Sequence, residues 1–331
     1  MVRHKVTRVL LTFLMLLSTI GLSSCGKTSE SRTLFADVIL LDISSGMNKF
    51  GTFSEVDHST SSLSSRASQL RIKLLNALDE RRAVYFGFVR KTYGQQQIET
   101  LVSPKLIQLI DLVLDEDIKD ASLRKDAKEG ILEGWKWALN QPEGFSASQC
   151  ETVVSDKISY SSNGEISEIK ISKVASSLCA NAQAANEQIA GLRIAPENIG
   201  SEIQAAVDRS IEKLASDERR LVNKDGQQIT LIPTLILVSD LIQVTNGVYI
   251  LDELRNLDSP DAACKKAEMD AKNYEVEIFG ISLISDGFAS TEGNINTELR
   301  DKLREYWKCW FNSRGIDEQD LGARGINLGD I

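Results

Sequence analysis

Three short segments of the sequence carry oxygen-bearing side chains of the kind that bind a hard divalent cation. Asp42-Ile43-Ser44 directly follows an apolar run, Gly200-Ser201 opens an amphipathic stretch, and Asp240 follows a second apolar run. If the apolar runs are parallel strands, these segments meet at the carboxyl edge of the sheet, where α/β proteins bind ligands. Carboxylate and hydroxyl oxygens suit Mg²⁺, which retains several water molecules in an octahedral shell. The sequence therefore predicts a metal site formed by Asp42, Ser44, Ser201 and Asp240.

Each of these side chains also has a purely structural interpretation. Asp42 and Asp240 can accept hydrogen bonds from backbone amides at the start of a helix, where the helix dipole favours an acid. Ser44 and Ser201 can cap helices in the same way. Each residue taken alone favours this simpler interpretation, and only their joint placement after predicted strands favours a metal site.

Together the three segments resemble the von Willebrand factor type A domain. In that family a metal-ion-dependent adhesion site takes D-x-S-x-S from the first loop, a Thr from the second and an Asp from the third. Asp42, Ser44 and Asp240 match this pattern, and Ser201 keeps the hydroxyl of the family's Thr. The order of elements extends the resemblance over residues 33 to 314. The resemblance implies a Mg²⁺ site whose open position accepts a carboxylate from a partner protein.

The sequence also departs from the family pattern. Gly46 stands in place of the second serine, which removes one direct ligand, and Leu241 stands where the family commonly has Gly. A competing alignment of the second loop uses Glu197, whose carboxylate can replace the missing ligand. Otherwise a water molecule fills that position, which Mg²⁺ tolerates, so we expect weak cation binding.

Predicted strands and helices alternate along the chain, and these elements must position the candidate ligands. Ala36–Leu41, Ala83–Val89, Leu235–Val238 and Val276–Ile284 are nearly continuous apolar runs, as in strands buried on both faces. Amphipathic stretches between them predict helices. We therefore expect an α/β fold with a doubly wound, mostly parallel sheet and helices on both faces. This domain is predicted to span residues 34–314, and residues 315–331 are predicted to form a C-terminal tail.

The alternation is interrupted between about residues 141 and 195. Asn163-Gly164 lies between two short segments of alternating character, and this dipeptide is the strongest short-range signal for a β-hairpin. We therefore predict an inserted β-hairpin element outside the central sheet. A separate short antiparallel strand is predicted at Gln97–Val102, beside the second strand of the sheet.

The first 24 residues resemble a lipoprotein signal peptide. A basic start precedes an apolar run of about 14 residues, which is too short for a permanent membrane span. Leu22-Ser23-Ser24-Cys25 then resembles the bacterial lipobox, in which the cysteine becomes the acylated first residue. This resemblance implies a bacterial cell-envelope protein anchored through Cys25 and a polar tether at 25–33, in the outer membrane if the host is diderm. The alternative is an ordinary cleaved signal with a chance cysteine.

Four cysteines remain if Cys25 carries lipid, and none forms a C-x-x-C motif. Two structural disulfides suit an oxidising compartment, and four cysteines allow three pairings. We favour Cys150 with Cys179, because both lie at the margins of the insertion, which leaves Cys264 with Cys309. Four buried free thiols are the alternative.

Composition narrows the classes of function. Residues 1–24 contain three bases and no acid, so their removal leaves 35 basic against 47 acidic residues, a net charge of −12. This charge argues against nucleic acid as a partner and against membrane contact beyond the anchor. Histidine occurs only at His4 and His58, which excludes a multi-histidine zinc site, and there is no G-x-S-x-G elbow.

The leading hypothesis is therefore a lipid-anchored interaction module that binds another envelope or surface protein, with Mg²⁺ as a possible cofactor and without catalytic turnover. The first alternative is an exported hydrolase. The second is a solute-binding lipoprotein of a transporter, which would show two comparable α/β lobes in place of one central sheet.

Overall fold

A buried strand lies near the centre of the main sheet, as the apolar run after Thr33 predicts. β1 (Thr33–Asp42) buries every residue from Ala36 to Asp42, because the sheet is covered on both faces. The structure, a computed structural model, describes residues 33–42, 61–89, 97–141, 146–191, 202–223, 226–239, 241–245, 248–271, 281–285 and 295–320. Residues from Thr33 onward form one compact unit.

Seven further strands follow β1 in the described residues. They are β2 (Arg82–Val89), β3 (Ile98–Val102), β4 (Thr230–Val238), β5 (Val244–Thr245), β6 (Val248–Tyr249), β7 (Ile281–Ser285) and β8 (Ile316–Asp320). The helices are α1 (Ser61–Ala77), α2 (Pro104–Asp117), α3 (Ala121–Leu139), α4 (Ala147–Ser161), α5 (Glu168–Gly191), α6 (Ile203–Glu218), α7 (Ile250–Arg255), α8 (Pro260–Ala271) and α9 (Thr297–Ser313).

The main sheet has six strands in the order β3-β2-β1-β4-β7-β8. All neighbours are parallel except β3, which pairs with β2 in the antiparallel sense. The predicted doubly wound, mostly parallel α/β fold is therefore confirmed, together with the short antiparallel strand beside β2. β5 and β6 form a separate two-stranded ribbon.

The predicted end of the domain at residue 314 is wrong. α9 is followed at once by β8, whose residues from Ile316 pair with β7 and extend the sheet by one strand. The segment Ile316-Asp317-Glu318-Gln319-Asp320 is mostly polar, so it lacks the apolar run by which the other parallel strands were identified. Ile316 is its one large apolar residue, and it is fully buried.

Helices cover both faces of the sheet. Asp37 of β1 points to the face on which α1 packs, where Lys73 forms an ion pair with it at 2.8 Å and Arg82 pairs with it as well. Tyr85 of β2 points to the opposite face, where its hydroxyl donates to Asp217 of α6 at 3.1 Å. Burial, together with the Asp217 carboxylate, raises the pKa of Tyr85 far above its usual range.

Pro233 lies within a paired strand although it has no amide to donate. β4 pairs with β1 along its whole length, with Pro233 opposite Ala36, whereas its pairing with β7 starts only at Thr234. Within the described residues, no strand pairs with Pro233 on the β7 side of β4, which is a position that tolerates proline.

The predicted β-hairpin insertion is wrong, because the segment is a pair of helices, α4 and α5. The turn itself is as expected, since Asn163 and Gly164 have φ values of 50° and 76°. However, the buried residues of α4 are Cys150, Val154 and Ile158, a spacing of four that belongs to a helix. The Asn-Gly dipeptide thus marked a turn and did not specify the elements that it joins.

The helical pair contributes to the core of the domain. α5 buries Val174, Ala175 and Leu178 and packs against α3 and β3. The carboxamide oxygen of Asn181 accepts from the amide of Ser103 at 2.8 Å. Trp135 is fully buried on α3, and its indole donates to the carbonyl of Leu74 at 2.7 Å. In the described part of the chain, no helix is long and apolar enough to cross a bilayer.

Candidate functional site

The topology provides one switch point in the sheet. From β1 the chain moves outward to β2 on one side, and it later returns to β4 on the other side of β1. In open α/β sheets a crevice forms at the carboxyl ends of such a strand pair, because the connections leave in opposite directions. Asp42 ends β1 and Ser239 directly follows β4, so these two residues flank the crevice.

Asp42 is held in place by a short chain of hydrogen bonds. The Ser239 hydroxyl donates to Oδ2 of Asp42 at 2.9 Å, and the amide of Leu241 donates to the same hydroxyl at 3.1 Å. Asp42 and Ser239 are both fully buried. The Ser239 hydroxyl accepts from the Leu241 amide, so its own proton points to the Asp42 carboxylate. This chain of two hydrogen bonds fixes the orientation of the carboxylate.

Leu241 adopts a backbone conformation that L-residues rarely use. Its φ is 58°, in the left-handed region that costs a side chain with a Cβ roughly 1–2 kcal/mol. The side chain is nevertheless fully buried, and the carbonyl accepts from the indole nitrogen of Trp307 at 2.8 Å. The position after Asp240 therefore has the left-handed conformation that favours glycine, with leucine in its place.

The start of α6 lies beside the segment that follows β4. The amide of Gln204, in the first turn of α6, donates to Oε1 of Gln243 at 3.0 Å, and Nε2 of Gln243 donates back to Oε1 of Gln204 at 3.1 Å. The first amides of a helix have no partner inside the helix, so the Gln243 side chain serves as a cap from another element. The first turn of α6 and the described segment that follows β4 are therefore in direct contact through these two glutamines.

Side chains of α8 and α9 hold the Gln204 side chain in place through hydrogen bonds. Nε2 of Gln204 donates to the Tyr306 hydroxyl at 2.7 Å, and that hydroxyl donates to Oδ2 of Asp270 at 2.7 Å. Burial and the hydrogen bond to Asp270 raise the pKa of Tyr306 far above its usual range, so the phenol remains protonated. Asp270 lies on α8 and Tyr306 on α9, which are also joined covalently.

That covalent link is a disulfide between Cys264 and Cys309, with a Cα–Cα distance of 5.3 Å. A second disulfide joins Cys150 of α4 to Cys179 of α5, with a Cα–Cα distance of 5.9 Å. The favoured pairing is therefore present in the structure. The alternative of four free thiols is not.

The structure describes only part of the predicted metal site. Asp42 lies at the carboxyl edge as expected, whereas Ser44, Glu197, Ser201 and Asp240 fall outside the described residues, as does the predicted lipidation site Cys25. Sequence reasoning did not identify Ser239, Gln204 or Gln243. The position of Ser239 between the apolar strand and Asp240 could have indicated it as a site residue. The two glutamines belong to no recognisable sequence motif.

A cleft of about 350 Å³ lies elsewhere, between the end of α1, α2 and α3. Its floor is apolar, and at its rim Arg81 pairs with Asp111 at 2.6 Å. Burial raises the pKa of Asp111, and the Arg81 guanidinium opposes this shift. Because Arg81 directly precedes β2, the cleft lies at the amino end of the strands, away from Asp42. Two other rim cations, Arg124 and Lys128, are also in ion pairs.

Comparison with known proteins gives no further information about this site. No protein-family model matches the sequence, and no curated protein is significantly similar to it. The geometry around Asp42 is therefore the basis for proposing a function.

Proposed function

We propose that this chain is a lipid-anchored interaction module, similar to a von Willebrand factor type A domain, that binds another envelope or surface protein at the carboxyl edge of its sheet. One observation carries the proposal: a buried aspartate, oriented by Ser239, ends the strand at the switch point of the sheet. That edge is where a doubly wound sheet binds its ligands.

The donor set at this edge fits a hard cation. Asp42 and Ser239 present only carboxylate and hydroxyl oxygens, and oxygen atoms are the ligands that Mg²⁺ selects. A carboxylate whose orientation is already fixed loses little freedom when it binds an ion. Bound Mg²⁺ would supply a positive charge able to attract a carboxylate of the partner. The residues proposed to hold it are Asp42, Ser44, Ser201 and Asp240, with Glu197 as a further candidate.

The single six-stranded sheet supports an interaction module over a solute-binding lipoprotein, for which we expected two comparable lobes. A hydrolase has no further support in the geometry around Asp42, where Ser239 directs its proton to the carboxylate in place of a basic nitrogen. Attachment to the bacterial membrane through Cys25 belongs to the same proposal.

The test compares Asp42→Asn with the unsubstituted full chain in detergent. Asparagine keeps an oxygen that can accept from Ser239 but removes the charge, so we expect Mg²⁺ binding to weaken by at least about tenfold while the fold is retained. Isothermal titration calorimetry with Mg²⁺ measures the affinity, and circular dichroism checks the fold. The matched control is Asp111→Asn, which removes an acid at the other end of the strands and should leave Mg²⁺ binding unchanged.

The partner is identified by cross-linking in the native envelope, and its binding is then measured with Mg²⁺ and with a chelator. We expect binding to require the cation. Mg²⁺ affinity that is equal in the Asp42→Asn and unsubstituted chains would contradict the metal site. Equal partner binding with Mg²⁺ and with chelator would show that the protein binds its partner without a metal ion.

A further inference from the structure

The disulfide between α8 and α9 lies between two acidic side chains. Glu268 follows Cys264 by four residues on α8, and Glu305 precedes Cys309 by four residues on α9. Oε1 of Glu268 lies 3.9 Å from Sγ of Cys264, and Oε1 of Glu305 lies 3.8 Å from Sγ of Cys309. We refer to these four residues as the α8–α9 cluster. Each helix thus places one sulfur and one carboxylate on the same side, one turn apart.

Among the residues that the structure describes, neither Glu268 nor Glu305 takes part in an ion pair. The neighbouring Lys266 is engaged elsewhere, with Glu253 and Asp270, both at 3.1 Å. A disulfide carries no S–H, so the sulfur contacts are not hydrogen bonds and do not stabilise the two negative charges. In the described part of the chain, the cluster therefore holds two acids close to sulfur without a hydrogen-bond donor or a cation.

The geometry approaches that of a zinc site. The ligand atoms of Cys264, Glu305 and Cys309 all lie within 4.8 Å of one another, and all three residues are partly accessible to solvent. Zn²⁺ binds thiolates at about 2.3 Å in a tetrahedron, which places two sulfurs about 3.8 Å apart. Reduction frees the two sulfurs to move apart to this distance, which rotation of the two side chains can supply.

We propose that reduction of this disulfide creates a Zn²⁺ site whose ligands are Cys264, Cys309 and Glu305, with Glu268 as the fourth. The disulfide accepts two electrons and two protons from a dithiol reductant, which is itself oxidised to a disulfide. Zn²⁺ then replaces the two thiol protons, which pass to solvent. The metal takes over the role of the covalent bond in joining α8 to α9. This inference does not depend on the proposed function.

The other disulfide provides an internal comparison. Cys150 and Cys179 are 0% and 3% exposed, and no acidic group in the described parts of the chain joins them in a similar cluster. Reduction of that pair yields two buried thiols without a carboxylate and without access for an ion. Zn²⁺ should therefore discriminate between the two cysteine pairs of the same molecule.

The experiment uses the full chain in detergent, reduced anaerobically with a phosphine that is then removed. Zn²⁺ is titrated against a chromophoric chelator, and Co²⁺ is used as a spectroscopic probe of thiolate ligation. We expect one Zn²⁺ per reduced chain, none for the oxidised chain, and none for Cys264→Ser/Cys309→Ser. Glu305→Gln should weaken binding by at least about tenfold, since even residues outside the ligand shell cost 10–100-fold when changed.

A second measurement distinguishes zinc binding to the folded reduced chain from zinc binding to an unfolded reduced chain. Alkylation of the reduced chain, followed by peptide mapping, should show that Zn²⁺ protects Cys264 and Cys309 and does not protect Cys150 and Cys179. An unfolded chain would bind Zn²⁺ equally well with Glu305→Gln, because that carboxylate would no longer face the sulfurs. Equal affinity of Glu305→Gln and the unsubstituted chain, or equal protection of both cysteine pairs, would overturn the proposal.

Discussion

At the scale of single residues, Leu241 combines a buried side chain with an unfavourable backbone conformation. A buried leucine replaced by alanine costs about 2–5 kcal/mol, so Leu241→Ala and Leu241→Gly should both lower the free energy of unfolding. Glycine is ordinarily about 0.5–1 kcal/mol less stable than alanine. At a φ of 58° the order should reverse, with Gly more stable than Ala by about 0.5–1 kcal/mol, because alanine pays the left-handed cost.

The measurement is equilibrium unfolding in urea, and the control is the same pair of substitutions at Leu237. That residue is fully buried in β4 with ordinary strand geometry. There the glycine variant should be the less stable of the two. The same order at both positions would mean that the left-handed conformation of Leu241 is not strained.

Of the residues at this edge, the position of Asp42 is predictable from the sequence, whereas the conformation of Leu241 is not. Asp42 was predicted from its position after an apolar run, and it lies at the carboxyl edge of the sheet. In the sequence, Leu241 is only a departure from the glycine of the pattern that the chain resembles. The left-handed conformation itself was not predictable, because the Trp307 indole that binds the Leu241 carbonyl lies 66 residues away in sequence.

At the scale of elements, two glycines of α3 allow α4 to approach closely. A Cβ at Gly130 would lie 2.6 Å from Cβ of Ser161 and 3.0 Å from the carbonyl oxygen of Lys157. A Cβ at Gly134 would lie 3.0 Å from Cγ1 of Val154. Gly130→Ala should therefore destabilise the protein by about 1–3 kcal/mol through overpacking, although alanine is the better helix former.

Gly191→Ala is the matched control, because a Cβ at the end of α5 would meet no atom of the described residues within 4 Å. This variant should be neutral or more stable by up to about 1 kcal/mol. Thermal unfolding followed by circular dichroism compares the two variants. Stabilisation by Gly130→Ala would show that the contact between α3 and α4 is looser than the structure indicates.

The elements also show why the helical pair was mistaken for a hairpin. Asn163 and Gly164 have the positive φ values that a hairpin turn needs, and the same values close a turn between helices. The four-residue spacing of Cys150, Val154 and Ile158 is typical of a helix, and it competes in the sequence with the alternation near the turn. β8 was missed for a different reason, since its stability comes from pairing with β7 and not from its own polar sequence.

At the scale of the whole molecule, the proposed anchor can be tested without knowledge of the partner. Cys25→Ala should abolish acylation, because the sulfur atom of Cys25 carries the first lipid. We expect an unprocessed precursor or a protein in the soluble fraction, and membrane fractionation with mass spectrometry measures both. Normal maturation and unchanged membrane association of the variant would contradict lipidation at this residue.

Trp307 contacts the segment that follows β4 through the carbonyl of Leu241, so its fluorescence responds to that segment. The indole bonds directly to the segment that follows β4, and its ring lies 5.6 Å from that of Trp310. Tryptophan emission depends on the surroundings of the indole, so a change in that segment alters the fluorescence of the unlabelled chain. Trp135 donates to α1 and lies on α3, so its emission is a steady background. The protein therefore carries an intrinsic optical reporter at the edge of the sheet where a ligand is proposed to bind.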